Sequence, residues 1–218
     1  MKRMYLGHPP DVRLAKCPDC GFQFYVPRPT EDELTRIYIN YRGKDYQKER
    51  QSYEPNYTEE FNSNLGQHPQ EIANRRNNLI RLIKGHKIKT ILDYGGDRGQ
   101  LLPDVQGRYV YEISGIEPMV GVTMWTGTPK KFDLVMCCML MEHLSDPVAL
   151  FKELKSLGKH IFIEVPAKGP TYQDEVPMMH EHINFFTPKS LEIMTGGKFK
   201  IKEIDFGYDK VQTICGLI

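Results

Sequence analysis

The chain has 218 residues, which is enough for one ordinary globular domain and a modest appendage but not for several independent domains. Its 29 Lys and Arg residues balance its 28 Asp and Glu residues, so we expect neither a nucleic acid nor a membrane surface as a partner. No apolar run approaches the roughly 20 residues of a membrane-spanning helix, and five cysteines, an odd number, do not fit a disulfide framework, so we expect a cytoplasmic protein.

The first third of the chain is rich in Tyr, Pro and charged residues and lacks sustained apolar periodicity. We therefore predict an N-terminal extension over residues 1–68, followed by the main domain over residues 69–218. Within the extension, Thr30 and Glu33 have the spacing of a capping box, which predicts a short helix. The polar, Tyr-rich stretch over residues 43–66 is predicted to be irregular and to close over a ligand.

From residue 69 onward, strand-like apolar runs alternate with helical patterns. Helices are predicted to begin near residues 69, 147 and 188, with Asp146 as the N-cap of the second. Strands are predicted at 88–93, 109–116, 132–138, 160–165, 199–206 and 210–217. This order predicts the α/β class, with a Rossmann-like doubly wound sheet that is mainly parallel. The last two runs are joined tightly at Gly207, which predicts a C-terminal antiparallel hairpin.

The turn after the first predicted strand is where a doubly wound sheet binds its ligands. Here the strand ends at Asp93, and the turn carries glycines at positions 95, 96 and 99. Glycines permit a close backbone approach, and the Asp93 carboxylate can accept hydrogen bonds from an ammonium or hydroxyl group. Because two acids, Asp93 and Asp97, fit a pyrophosphate badly and the spacing is not Gly-x-Gly-x-x-Gly, the turn disfavours a dinucleotide dehydrogenase. A generic glycine turn is the plain alternative.

A second acid follows the next predicted strand. Glu117 comes directly after Ser114-Gly-Ile116, where a carboxylate can bind both hydroxyls of a ribose. Two acids at the ends of two neighbouring strands predict a nucleoside site.

Two further motifs extend this pattern: Phe132-Asp-Leu-Val135 and Met141-Glu-His-Leu-Ser-Asp-Pro147. With them the chain, from about Ile72 to its end, resembles class I S-adenosylmethionine-dependent methyltransferases, above all the branch that modifies sugars, including nucleotide-linked ones, and other small metabolites. The resemblance implies S-adenosylmethionine as cofactor, with its methionine part at the glycine turn and its ribose held by Glu117. The implied cofactor contacts are Asp93, Gly95, Gly96, Gly99, Glu117, Met139 and Glu142.

Two features depart from the family pattern. Asp97 stands where the family has the second glycine of its turn. The segment between Glu117 and Asp133 is short for a helix and a strand, so we expect the third strand and its preceding helix to be shortened or lost. The family's adenine-binding acid then has no clear counterpart, and residues 124–126 could rebuild that pocket. The alternative to an enzyme is a catalytically silent interaction module that binds the cofactor weakly or not at all.

A histidine-rich loop with His180, Glu181 and His182 lies between the predicted strand at 160–165 and the last helix. Histidine can take a proton from a hydroxyl, or from carbon next to a carbonyl, near neutral pH. In the sugar C-methyltransferases that this loop resembles, an adjacent Glu-His pair is the acid/base machinery, which implies His182 as the base and Glu181 as its partner. In the alternative, His182 and Asn184 only tie the loop to backbone groups. A metal pair of His180 and His182 is less favoured.

Glu142-His143 offers a competing base, because in the family fold the cofactor's sulfur faces the loop after the family's fourth strand, to which the run 132–138 corresponds here. His143 could instead pack under the helix that starts at Asp146. Methyl transfer needs little acid/base help, since the sulfonium is already an activated donor, so positioning and deprotonation of the acceptor supply most of the rate.

Near the N-terminus, Cys17-Pro-Asp-Cys-Gly21 forms a two-cysteine knuckle, which is half of a tetrahedral zinc site. No second Cys-x-x-Cys exists, and His8 is the one further candidate nearby. Related sugar methyltransferases carry an N-terminal zinc ribbon, and this end resembles a ribbon that has lost its first knuckle. Cys17 and Cys20 are therefore candidate zinc ligands, with a relic turn or two ordinary thiols as the alternative.

Together these features predict S-adenosylmethionine-dependent methyl transfer, on oxygen or carbon, to a sugar or another small polar metabolite, with a histidine base. The Tyr-rich stretch from Tyr38 to Tyr57 is expected to shape the acceptor pocket.

Overall fold

The computed structural model describes residues 13–39, 41, 43–52, 55, 57–64, 68–127, 131–167, 182–197, 200–205 and 212–218. It begins with an antiparallel hairpin of β1 (Arg13–Lys16) and β2 (Gln23–Val26). The cysteine knuckle forms the turn between them, where the N–H of Gly21 donates to the carbonyl oxygen of Cys17 at 3.0 Å. Gly21 has a φ of 74°, a left-handed conformation that favours glycine at this position.

Four helices follow the hairpin: α1 (Glu31–Ile39), α2 (Lys44–Gln51), α3 (Glu59–Asn64) and α4 (Pro69–Ile83). The predicted capping box is confirmed, since the N–H of Thr30 donates to Glu33 Oε2 at 2.7 Å and the N–H of Glu33 donates to Thr30 Oγ1 at 3.3 Å. The prediction that residues 43–66 are irregular is wrong, because they contain α2 and α3. The buried side of α2 is made of Tyr46 and Arg50 rather than of aliphatic residues, so no apolar period marks the helix.

The main sheet has seven strands in the order β5-β4-β3-β6-β7-β10-β9 among the described residues. The strands are β3 (Thr90–Tyr94), β4 (Gly107–Tyr111), β5 (Thr123–Met124), β6 (Phe132–Cys138), β7 (Gly158–Ala167), β9 (Lys200–Asp205) and β10 (Gln212–Leu217). Neighbours from β5 to β7 are parallel, whereas β10 is antiparallel to both β7 and β9. The α/β class, the mainly parallel sheet and the C-terminal antiparallel pair are confirmed.

The sheet departs from the prediction around its second strand. β4 ends at Tyr111, five residues before the predicted end, and the apolar residues that suggested a longer strand, Ile113 and Ile116, are 57% and 38% exposed. The shortening around the third strand is confirmed, because β5 has two residues and residues 112–122 contain no helix. The acid that directly follows β4 is therefore Glu112.

The remaining elements follow β6 and β7 along the chain. They are a 3-10 turn at Met141–His143, α5 (Pro147–Leu157), β8 (Asn184–Phe185) and α6 (Pro188–Met194). Asp146 caps α5 as predicted, with its Oδ1 accepting from the N–H of Ala149 at 2.9 Å. β8 pairs with β2, so the N-terminal hairpin is joined to the segment that begins at His182.

The core lies on both faces of the main sheet. Strand β6 is almost entirely buried, as expected for a parallel strand covered on both sides. One face packs against α5 through Leu150 and Leu154, and the other packs against α4 through Leu79. Within the described residues, no helix has the length and apolar character needed to cross a membrane.

Candidate functional site

The first half of the candidate site is the turn between β3 and residue 99. Gly95 and Gly99 have φ values of 72° and 81°, which glycine adopts at little cost. A Cβ at Gly96 would lie 2.3 Å from Cγ of Asp93, and one at Gly95 would lie 2.8 Å from Cδ2 of Leu140. At Gly96 a side chain would therefore collide with Asp93, whereas at Gly95 the neighbour is the flexible end of the Leu140 side chain and the left-handed φ is what favours glycine.

The carboxyl group of Asp93 lies beneath this turn and is completely buried. Neither of its oxygens has a hydrogen-bond partner among the described residues. Burial raises the pKa of Asp93 to about 7, against the lowering effect of the Arg75 guanidinium. Because a buried carboxyl group without a donor is costly, its oxygens are suited to a donor group supplied by a ligand.

Gly99 has a different role from Gly95 and Gly96. A Cβ at Gly99 would lie 2.9 Å from Cδ1 of Leu102 and 3.1 Å from Cγ1 of Val122. The loop that carries Val122 also folds back on the turn, with the N–H of Met119 donating to the carbonyl oxygen of Arg98 at 3.0 Å. Gly99 therefore permits internal packing of the turn against this loop.

Glu112, and not Glu117, is the acid at the end of the second strand. Its Oε2 accepts from the N–H of Asp97 at 3.0 Å, and its Oε1 accepts from the N–H of Ser114 at 2.9 Å. Glu117 is exposed and lies beyond the strand. The argument for Glu117 rested on its place at a strand end, and that place belongs to Glu112. The signal for Glu112 in the sequence was its position directly after the strand-like run Arg108-Tyr-Val-Tyr111. Ile113, which follows Glu112, is exposed in the structure.

Asp97 has an unusual backbone conformation for its residue type. Its φ of 53° is left-handed, at the position where the resembled family has glycine. Its N–H donates to Glu112 Oε2, and its Oδ2 accepts from Gln100 Nε2 at 3.2 Å. These contacts hold the non-glycine residue in place at the turn.

A buried ion pair that the sequence reading missed lies beside Asp93. Arg75 of α4 donates from Nε to both carboxylate oxygens of Glu164 at 3.1 Å, and from Nη2 to Oε2 at 2.9 Å. Although burial opposes the charged form, the Glu164 carboxylate raises the pKa of Arg75. The available signal was a glutamate inside the apolar strand β7.

The second half of the site is a cluster of Glu142, His143 and His182. These side chains are 1%, 8% and 9% exposed, and each offers a ligand atom within 4.8 Å of those of the other two. His143 Nε2 lies 3.7 Å from Glu142 Oε1, and the rings of His143 and His182 have centroids 4.7 Å apart. The structure thus brings together the two histidines that the sequence offered as competing bases. Glu181 and His180 lie outside the described residues.

The backbone holds these residues together through one asparagine. Asn184 Nδ2 donates to the carbonyl oxygens of Met141 at 2.9 Å and Leu144 at 2.7 Å, while the N–H of Ile183 donates to the carbonyl oxygen of Glu142 at 2.8 Å. Arg28 Nη1 in turn donates to Asn184 Oδ1 at 2.8 Å. The structural role suggested for Asn184 is therefore confirmed.

Met139 sits between the two halves of the site. Its φ is 53°, and its N–H donates to the carbonyl oxygen of Glu164 at 2.8 Å. The next residue, Leu140, is the side chain that Gly95 accommodates. The loop after β6 therefore contacts the glycine turn through Leu140 and carries Glu142 and His143 immediately beyond it.

The N-terminal extension reaches the same site. The ring of Tyr38 meets that of His143 edge-on, with centroids 5.9 Å apart. Tyr38 belongs to an aromatic cluster with Tyr41, Tyr46 and Tyr57, and the guanidinium carbon of Arg50 lies 3.9 Å from the ring centroid of Tyr57. Of the residues suggested for an adenine pocket, Trp125 instead packs in the core against Phe132.

The cysteine knuckle is the turn of the β1–β2 hairpin, and it is far along the chain from Glu142, His143 and His182. Hydrogen bonds from the backbone at Cys20 and Asp19 lower the pKa of Cys17, whereas burial raises that of Cys20. Thr187 Oγ1 donates to the carbonyl oxygen of Cys20 at 2.6 Å, which fixes the knuckle to the start of α6. The knuckle supplies two thiols as possible ligands, and His8 lies outside the described residues. Zinc binding by Cys17 and Cys20 therefore stays a prediction.

Comparisons with known proteins extend these observations. A family model described as a methyltransferase domain matches residues 57–195, which is more than half of the chain. The crystal structure of magnesium protoporphyrin IX methyltransferase from Synechocystis PCC 6803 with bound SAH is similar, at 14% identity and a TM-score of 0.54, covering 86% of this chain and 98% of that one. At this identity the likeness concerns the fold.

Two further solved structures have lower TM-scores. A SAM-dependent methyltransferase from Aquifex aeolicus has 17% identity and a TM-score of 0.47, covering 69% of this chain and 94% of that one. The N-terminal domain of EvdMO1, in the presence of SAH and D-fucose, has 14% identity and a TM-score of 0.47, covering 69% of this chain and 82% of that one. No curated protein matches the chain.

Proposed function

The chain belongs to the methyltransferase domain family and is by that membership an S-adenosylmethionine-dependent methyltransferase, and we propose that its acceptor is a small polar molecule methylated on oxygen or carbon. A sugar, including a nucleotide-linked sugar, is the acceptor class that we favour. When bound, S-adenosylmethionine supplies an activated methyl group on its sulfonium sulfur. The protein's own residues then have to bind the cofactor, orient the acceptor and move one proton.

The observation that carries the proposal is the buried Asp93 carboxyl group without a hydrogen-bond donor under the glycine turn. An ammonium group, such as that of the cofactor's methionine part, would supply the missing donor and favour the ionised carboxylate. The residues present therefore fit this cofactor. Gly95 and Gly96 would leave room for it, and Met139 with Glu142 would line its substrate side.

In this proposal Glu112, in place of Glu117, binds the ribose of the cofactor. Its two oxygens are each held by one backbone N–H, from Asp97 and from Ser114. A carboxylate oxygen has two lone-pair positions, so one remains on each oxygen for a hydroxyl group. The two backbone donors would hold the carboxylate in an orientation that suits both ribose hydroxyls.

His182 is the base that we propose for the acceptor proton, with Glu181 as its partner and His143 as the alternative base. The short distance between the two imidazoles means that both face one small volume beside Glu142. A group there can take a proton from an acceptor held in this volume. Tyr38 would form one wall for a sugar or base, since its ring already packs on His143.

The test is a calorimetric titration of the purified chain with S-adenosylhomocysteine. We expect saturable binding of one ligand per chain. No heat of binding at millimolar ligand would contradict the proposal.

A second candidate is a silent module that keeps the fold and has lost the cofactor. It is favoured by Asp97, which has a left-handed backbone where the family has glycine, and by the two-residue strand β5. The same titration separates the two functions, because the silent module predicts no binding while the protein stays folded.

A further inference from the structure

We propose that Glu142, His143 and His182 bind a divalent first-row metal ion of the zinc class, and that this ion holds the oxygen of the methyl acceptor. This inference rests on the proposed function for the identity of the acceptor, but not for metal binding itself. Two imidazoles and one carboxylate are a common ligand set for such ions and leave coordination positions open.

The distances between the side chains suit one ion. Metal bonds of about 2.1 Å to nitrogen and oxygen place two ligand atoms of a tetrahedral ion roughly 3.4 Å apart. His143 Nε2 and Glu142 Oε1 lie 3.7 Å apart, and ligand atoms of all three residues lie within 4.8 Å of one another. Small side-chain rotations would therefore complete the site without any movement of the backbone.

Hydrogen bonds that do not involve the side chains of the three proposed ligands hold their backbone in place. His182 is followed by Ile183 and Asn184, which donate three hydrogen bonds to the carbonyl oxygens of Met141, Glu142 and Leu144. These bonds fix the His182 segment against the 3-10 turn of the other two ligands. Such support of the ligand-bearing segments is what gives a metal site its geometry.

The charge balance of the site also favours a cation. The Glu142 side chain is 1% exposed and lies beside imidazoles that are 8% and 9% exposed. A carboxylate in such buried surroundings interacts more strongly with a cation than one in water does. Arg28 donates to Asn184 and therefore supports the backbone of the site. A divalent ion would neutralise the Glu142 carboxylate directly.

The position of the cluster gives the ion a role. Leu140, which touches the glycine turn, lies two residues before Glu142. Tyr38 covers His143 from the N-terminal extension. An acceptor hydroxyl bound to the ion would thus lie between the cofactor side and the aromatic cluster. Because His143 and His182 are ligands in this arrangement, the ion replaces the histidine base of the proposed function: it would lower the pKa of that hydroxyl so that its proton passes to water.

The test uses cobalt(II) as the probe, added to the full chain after treatment with a chelator. In the Cys17→Ser/Cys20→Ser variant, which lacks the predicted knuckle site, we expect visible absorption that saturates at one ion per chain, without the near-ultraviolet charge-transfer band of a cobalt-thiolate bond. Glu142→Gln and His182→Ala should each weaken cobalt binding by about tenfold or more. Circular dichroism and thermal melting would establish that each variant is folded, and Glu142→Gln, which preserves side-chain shape, serves where His182→Ala does not fold.

Two controls separate this site from other candidates in the chain. Cys17→Ser/Cys20→Ser should leave the visible band unchanged, and so should His86→Ala, which removes an exposed ring 3.3 Å from His160. The proposal is overturned if cobalt does not bind, if binding is unchanged in Glu142→Gln and His182→Ala, or if it is lost in either control. A parallel titration with S-adenosylhomocysteine shows whether the cofactor function fails independently of metal binding.

Discussion

The backbone N–H of Asp97 donates a hydrogen bond of 3.0 Å to Oε2 of Glu112, which joins the glycine turn after β3 to the end of β4. This bond fixes the acid of the second strand beside the buried Asp93. It also explains why a non-glycine residue persists at a φ of 53°, since its N–H is directed to a carboxylate. The two acids proposed to bind the cofactor, Asp93 and Glu112, are thus held in one structural unit.

Gly96→Ala should abolish the binding of S-adenosylhomocysteine. The new Cβ would lie 2.3 Å from Cγ of Asp93, so the carboxyl group or the turn must shift, at a cost of about 1 to 3 kcal/mol in the free energy of unfolding. Calorimetry and urea denaturation measure the two effects. Gly115→Ala is the control, because nothing lies within 4 Å of the Cβ that it introduces. Only the left-handed φ of 79° lowers the stability of this variant, by about 1 kcal/mol. Equal affinities in both variants would contradict the role of the turn.

Asp93 should make the stability of the ligand-free protein fall as the pH rises. Its pKa is raised to about 7 by burial and returns to about 3.9 on unfolding, so the folded state binds more protons between these values. The stabilisation that is present below pH 4 is therefore lost as the pH rises through 7, on the order of 4 kcal/mol. Urea denaturation at several pH values measures this slope.

Asp93→Asn should remove this part of the pH dependence while weakening S-adenosylhomocysteine binding, because the amide cannot balance an ammonium group. The variant should equal or exceed the wild type in stability at pH 7.5. An unchanged slope in the variant would show that Asp93 does not titrate in this range.

Asn184→Ala should destabilise the protein by roughly 2 to 4 kcal/mol, because it removes two hydrogen bonds to the carbonyl oxygens of Met141 and Leu144. Cobalt affinity should fall as well, since His182 is no longer held against the 3-10 turn. Asn74→Ala removes a hydrogen bond of the exposed pair with Gln70 and should change stability by less than about 0.5 kcal/mol. Similar losses in the two variants would contradict the role assigned to Asn184.

The main sheet could be predicted from the sequence because its strands are continuous apolar runs between clear turn signals. The end of β4 could not, because Ile113 and Ile116 continue the apolar pattern although both are exposed. An apolar residue in a loop at the mouth of a site looks the same in the sequence as one in a strand. The placement of Glu117 at a strand end followed from that error, and the acid at that place in the structure is Glu112.

The sequence predicts which residues form the candidate site better than it predicts how these residues are arranged. His143 and His182 were both identified, but as alternatives, because nothing in the local sequence brings their loops together. Their contact depends on Asn184 and on the pairing of β8 with β2, which joins residues far apart in the chain. The Arg75–Glu164 ion pair was missed for the same reason, since a glutamate inside the apolar strand β7 indicates a buried partner but does not identify a cation far away in the chain.

The central claim is that Asp93 and Glu112 bind one cofactor together, with Asp93 at its ammonium group and Glu112 at its ribose. Calorimetric titration of S-adenosylhomocysteine into the wild type, Glu112→Gln and Glu117→Gln tests it most directly, with thermal melting as the check on folding. We predict that Glu112→Gln weakens binding by about tenfold or more, through the loss of a charged acceptor for two hydroxyl groups, and that Glu117→Gln changes it by less than about twofold. Weakened binding in Glu117→Gln with unchanged binding in Glu112→Gln would contradict the account.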